Sequence, residues 1–110
     1  MDVTTTTLPT HSVVRCAGRL NMLAAPGLRR TVQDALAAGP PRVVLDLGGV
    51  GFLDSSGLGA LIGGLKDARN RGGDLRIAGV SDQVRAVLKL TNMDRVLRPY
   101  PDAEAAADGW

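Results

Sequence analysis

A chain of 110 residues with a formal charge of +2 has the size of one domain and too little net charge to imply a polyanionic partner. Its 45% hydrophobic content excludes a disordered chain, and only 3% aromatics leaves an aliphatic core with few platforms for stacking bases. Cys16 is the only cysteine, which excludes an internal disulfide and a cysteine-built zinc site.

Lys and Arg are spread along the chain, so no nucleic-acid partner is expected. Met1-Asp2-Val3-Thr4 has neither the basic start nor the apolar run of a signal peptide. The longest apolar stretch, Leu58 to Leu65, contains three glycines and falls far short of the ~20 residues that span a bilayer. The expectation is a soluble cytoplasmic protein, one domain over residues 1–110, without membrane insertion.

In chain order, Thr-rich Val3 to Leu8 reads as an edge strand, and Pro9-Thr10-His11 as a turn. Val13 to Ala17 reads as a second strand, forming a hairpin with the first and ended by Gly18. Cys16 lies in this apolar run and reads as a small core residue. Pro26 suits a first helical turn, Leu28, Val32, Ala35 and Leu36 follow at helical spacing, and Gly39-Pro40-Pro41 stops the helix. Arg42 to Leu47 is a short apolar run bounded by breakers, read as a buried central strand with Val43, Leu45 and Leu47 in the core.

Gly48 to Gly57 reads as a loop. Leu58, Leu61, Ile62, Leu65 and Ala68 then mark one face of a helix from Ser56, closed near Gly72-Gly73. Leu75 to Ala78 is another strand, Ser81 caps a helix carrying Val84, Val87 and Leu88, Val96-Leu97 begins a short last strand, and Asp102 to Ala106 forms a short last helix. Alternating strands and helices imply an α/β fold with a mixed, mostly parallel sheet and an antiparallel N-terminal strand pair. Partners of such sheets meet the loops at the carboxyl ends of the strands, here Gly18 to Ala25 and Gly48 to Gly57.

Asp54-Ser55-Ser56 sits just before a helix, where such side chains satisfy free backbone N–H groups. One serine can cap while the other stays exposed. A nucleophilic serine needs a base and a glycine-flanked elbow; His11 is the only histidine, and Leu53 and Asp54 stand where the glycine is required. Gly57-Leu58-Gly59 opens a helix but lacks a Walker lysine and a full dinucleotide fingerprint, so no nucleotide cofactor is expected. A phosphate added covalently fits better, because a helix N-terminus favours negative charge. The reading is a binding protein, not an enzyme, with no cofactor and no metal.

The run Arg42-Val-Val-Leu-Asp-Leu-Gly-Gly-Val-Gly-Phe-Leu-Asp54-Ser55-Ser56-Gly57-Leu58-Gly59 closely resembles the signature of STAS domains, specifically bacterial anti-sigma factor antagonists. The resemblance runs from about Ser12 to Ala107 and includes Ala24-Ala25-Pro26-Gly27-Leu28 and Thr91-Asn92-Met93-Asp94-Arg95-Val96-Leu97. It implies that Ser55 is phosphorylated by an anti-sigma factor that is itself a serine kinase, and that a PP2C-type phosphatase reverses the step. The unphosphorylated protein would capture the anti-sigma factor and free the sigma factor. The residues it brings to partner binding are Arg19, Asn21, Asp54, Ser55, Ser56, Gly57, Leu58 and Gly59. Asp54 would set the loop, Ser56 would cap the helix, and Gly57 and Gly59 would let a partner approach the backbone.

Family members commonly carry Gly-Glu-(Leu/Ile)-Asp after the second strand, where this chain has Gly18-Arg19-Leu20-Asn21. Two acidic positions are basic and neutral, which is compatible with a different cognate kinase or with a member that is not phosphorylated. The alternative function is a constitutive STAS subunit of another assembly, such as a lipid-transport ABC system.

Overall fold

The structure, a computed structural model, describes residues 1–110. Its strands are β1 (Asp2–Thr7), β2 (Ser12–Leu20), β3 (Arg42–Leu53), β4 (Asp74–Ala78) and β5 (Pro99–Tyr100). Its helices are α1 (Ala25–Ala38), α2 (Ser55–Asn70), α3 (Asp82–Leu90) and α4 (Ala103–Ala106), with a 3-10 turn at Met93–Arg95. The strands form one sheet in sequence order, β1 antiparallel to β2 and the rest parallel.

Strand order explains where the helices go. Each crossover, β2-α1-β3, β3-α2-β4 and β4-α3-β5, steps one strand in the same direction. Crossovers of one hand stepping one way place their helices on one face. A single core of 20 residues accordingly joins Leu28, Val32 and Leu36 of α1, Leu61, Leu65 and Ala68 of α2, and Val84 and Leu88 of α3 to the inward residues of β2, β3 and β4. Val43, Leu45 and Leu47 are within it, as their breaker-bounded run implied. The opposite face carries a smaller cluster, Val13, Val44, Ala78 and Ala106, covered by α4 together with Tyr100 and Trp110.

Between α1 and α2, Arg29 donates Nε and Nη2 to the Asp67 carboxylate at 2.8 and 3.2 Å, and Gln33 adds a third donor at 3.2 Å. The Arg29 hydrogen bond holds the Asp67 carboxyl below the usual carboxylate range. The pair is solvent-facing, so it orients the two helices more than it stabilises them.

Three expected boundaries move. β2 continues past Ala17 to Leu20, through Gly18 at φ +116°, a conformation that favours glycine. The segment from Gly48 is strand until Leu53, not loop. Relative to β2, the strand β3 gains one residue between Asp46 and Gly49 and another between Val50 and Phe52. Each bulge reverses which parity faces inward, so Leu45 and Leu47, then Val50, then Leu53 all reach the core despite their irregular spacing. Val96-Leu97 is not strand either. Leu97 is buried as a plug behind the 3-10 turn, and β5 is the two residues Pro99–Tyr100.

Candidate partner-binding surface around Ser55

The extension of β2 and β3 carries both chains to the same end of the sheet. Arg19 pairs with Phe52 and Leu20 with Leu53 in register, and the Asp54 N–H reaches the Leu20 carbonyl at 3.4 Å. The segment Arg19-Leu20-Asn21 and the start of α2 are therefore neighbours. The structure brings together the two loops that the sequence placed at the carboxyl end of the sheet.

Asp54 is the cap of α2, not Ser56. Its backbone is extended, and its carboxylate accepts from the Gly57 N–H at 2.8 Å, three residues on. A carboxylate reaches that N–H from the residue before the helix; Ser56 is already helical and half-buried, and cannot. Ser55 is the first helical residue and is exposed, and neither serine hydroxyl has a protein hydrogen-bond partner. The Ser55 and Ser56 N–H groups point out of the first turn, where free donors and the helix dipole favour an anion.

The glycines divide. Gly57 is buried, and a Cβ there would run into the Leu20 carbonyl oxygen, the Leu53 Cδ1 at 2.7 Å and the Leu20 Cγ at 2.9 Å. It lets α2 start against β2 and offers no approach to a partner. Gly59 is exposed, and a Cβ there would meet nothing within 4 Å, so an approaching surface can reach the backbone. Leu58 is half-buried and packs on the core.

Arg19 is exposed on β2, its guanidinium 4.1 Å from the centre of the Phe52 ring. Asn21 shapes the entry to α1: its Oδ1 accepts from the N–H groups of Leu23 and Ala24, each at 3.1 Å. Its carbonyl accepts from the Ala24 and Ala25 N–H groups. An aspartate could make the same bonds, so the turn is indifferent to which of the two stands there.

Sequence reasoning missed three participants. Met22 and Leu23 stand 68% and 86% exposed beside Asn21, two apolar side chains at the tip of the loop next to Ser55. Gln83 of α3 clamps the end of β3: its Oε1 accepts from the Leu53 N–H at 2.8 Å and its Nε2 donates to the Leu53 carbonyl at 3.2 Å. That clamp fixes the residue immediately before the cap. A lone glutamine in an amphipathic helix carries no signal of such a role. Cys16 is buried away from this surface, its thiol pushed up to about 12 by burial and then by Asp46. No helix of the chain is long and apolar enough to cross a membrane.

An exposed serine without a hydrogen-bond partner at a helix start, beside a loop that presents two apolar side chains, has the character of a surface that meets another protein. The family model for the STAS domain matches residues 2–106, and the chain belongs to that family. A curated relative, the anti-sigma-B factor antagonist of Staphylococcus aureus, is 28% identical over 93 residues, 84% of this chain and 86% of that protein. The crystal structure of an anti-sigma factor antagonist from Mycobacterium paratuberculosis superposes with a TM-score of 0.83 at 28% identity, covering 96% of this chain and 89% of that one. A putative anti-sigma factor antagonist from Thermotoga maritima gives 0.84 at 26% identity, covering 93% and 88%.

Proposed function

We propose that this chain is a cytoplasmic anti-sigma factor antagonist switched by phosphorylation of Ser55. The observation that carries the reading is the exposed, unpartnered Ser55 hydroxyl at the first position of α2, on a surface bearing Met22, Leu23, Arg19 and Gly59. The names of the relatives support the antagonist role. In the unmodified state this surface docks on an anti-sigma factor and so releases the sigma factor. That anti-sigma factor, a serine kinase, transfers a phosphoryl group from ATP to the Ser55 Oγ, and the serine proton passes to a base of the kinase. A PP2C-type phosphatase hydrolyses the ester and restores the binding form.

The switch works because Ser55 tolerates charge only in the free state. A phosphate adds about two negative charges beside Asp54. In free protein, water and the open first turn of α2 solvate it. Covered by a partner without a matched cation, such a charge costs about 2–5 kcal/mol, roughly 30- to 4,000-fold in affinity. The test is calorimetry of the anti-sigma partner with unmodified and Ser55-phosphorylated protein, together with Ser55→Ala. The expected result is weakened binding by the phosphoprotein and constitutive binding by Ser55→Ala. Equal affinity for both forms would sink the switch.

A further inference from the structure

A second concentration of charge lies at the far edge of the sheet. Arg69 of α2, Arg76 of β4, and Arg95 and Arg98 of the segment after α3 line one pocket of about 250 Å³, with Asp74 its only carboxylate and Tyr100 on its wall. Four arginines against one aspartate give the lining residues a formal excess of three positive charges, more than the net +2 of the whole chain. Asp74 is already engaged by Arg69 Nε at 3.4 Å and Arg76 Nε at 3.8 Å. Arg76 is further fixed by donating Nη1 to the carbonyls of Ala106 and Asp108 at 2.8 and 3.2 Å. Arg95 and Arg98 enter none of the chain's ion pairs, and both are exposed.

Arg95 and Arg98 carry positive charge that no carboxylate of the pocket neutralises, and an oxyanion between them would do so. The planar fork of arginine matches two phosphate oxygens at once. The volume lies below the roughly 300–1,000 Å³ of ordinary ligand pockets, which suits a phosphate head with a few attached atoms. Arg69 is fourteen residues beyond Ser55 on α2, about 21 Å along the helix at 1.5 Å per residue, so this pocket is no part of the Ser55 surface. We propose that it binds a small soluble phosphate monoester, with Arg95 and Arg98 gripping the phosphate and Arg69 and Arg76 forming the fixed wall.

The test is a titration of the full chain with glycerol 3-phosphate and with inorganic phosphate, at constant ionic strength, followed by NMR of the arginine Nε and backbone N–H signals. Saturable shifts centred on Arg95 and Arg98 are expected. Arg95→Gln and Arg98→Gln should each weaken binding by about tenfold, as loss of a charge-assisted hydrogen bond implies. Arg98→Lys should retain part of it. Both side chains are exposed, so unchanged thermal melts will show that the variants are folded. Parallel co-sedimentation with phosphatidylcholine vesicles containing phosphatidic acid should leave the protein in solution. The proposal fails if glycerol 3-phosphate does not saturate, whether or not inorganic phosphate does, or if the Arg95→Gln, Arg98→Gln double variant titrates like the parent. It fails equally if only the vesicles bind, which would make a lipid headgroup the ligand.

Discussion

Replacing Gly57 by alanine tests how α2 is seated. The new methyl would collide with the Leu20 carbonyl, the Leu53 Cδ1 and the Leu20 Cγ. None of these gives way easily. The carbonyl accepts from Asp54 N–H, and Leu20 and Leu53 are 0% and 2% exposed within the core. Relief requires moving the first turn of α2 off β2, and overpacking of this kind costs about 1–3 kcal/mol, at its upper end where backbone is the obstacle. Alanine returns about 1 kcal/mol of helix propensity. The net expectation is a loss of about 2 kcal/mol, which for a domain of this size lowers Tm by about 8 °C. Gly59→Ala is the internal control. It gains the same propensity without a collision, and should raise Tm by about 4 °C. Calorimetric melts of both variants measure the difference. A Gly57→Ala protein as stable as the parent would refute this account of why a glycine stands there.

Asp54→Ala should lose about 1 kcal/mol in urea denaturation, because the Gly57 N–H loses its acceptor, whereas Ser56→Ala should change stability little. Cys16 is raised in the folded state from 9.0 to about 12, so its contribution to stability is full below pH 9 and is lost as pH rises toward 12. Cys16→Ala should flatten that alkaline decline in pH-dependent unfolding, and the parent thiol should resist alkylation at pH 8 until the protein unfolds. Asn21→Asp should keep the turn and the melting temperature, since an aspartate accepts the same two N–H groups; Arg19→Glu should alter the association rate with the anti-sigma partner and its salt dependence, read by surface plasmon resonance at two salt concentrations.

Most elements were legible because their ends carry breakers. Pro26 and Gly39 bracket α1, Ser81 caps α3 with a 3.4 Å bond to the Val84 N–H, and Asp102 caps α4. The end of β3 was not legible. Gly48, Gly49 and Gly51 look like a turn, and only the register against β2 shows that they are bulges in a continuing strand. β5 was misplaced because Val96 and Leu97 have strand-forming side chains, yet the burial of Leu97 is satisfied from a 3-10 turn. At the site, Ser55 stood out through its motif. The cap went to the wrong residue because Asp54, Ser55 and Ser56 have equal capping chemistry, and only backbone angles choose among them. Met22 and Leu23 escaped notice because an exposed apolar side chain leaves no trace in a pattern built to find buried ones.

The two faces of the sheet are unequal in a way that sets the order in which the molecule opens. Three helices share the large core, but Val13, Val44 and Ala78 are roofed only by the single turn of α4 with Tyr100 and Trp110 beside it. That turn is held by Arg76 beneath the Trp110 ring at 4.2 Å and by its bonds to two carbonyls. So few contacts make a separate cooperative unit, able to lift while the remaining core stays closed. The amides of Ala105 to Asp108 should accordingly trade their hydrogens for solvent deuterium long before those of Leu61 to Leu65. Each such excursion uncovers a narrow apolar strip on the sheet, so added salts that strengthen hydrophobic burial should slow it.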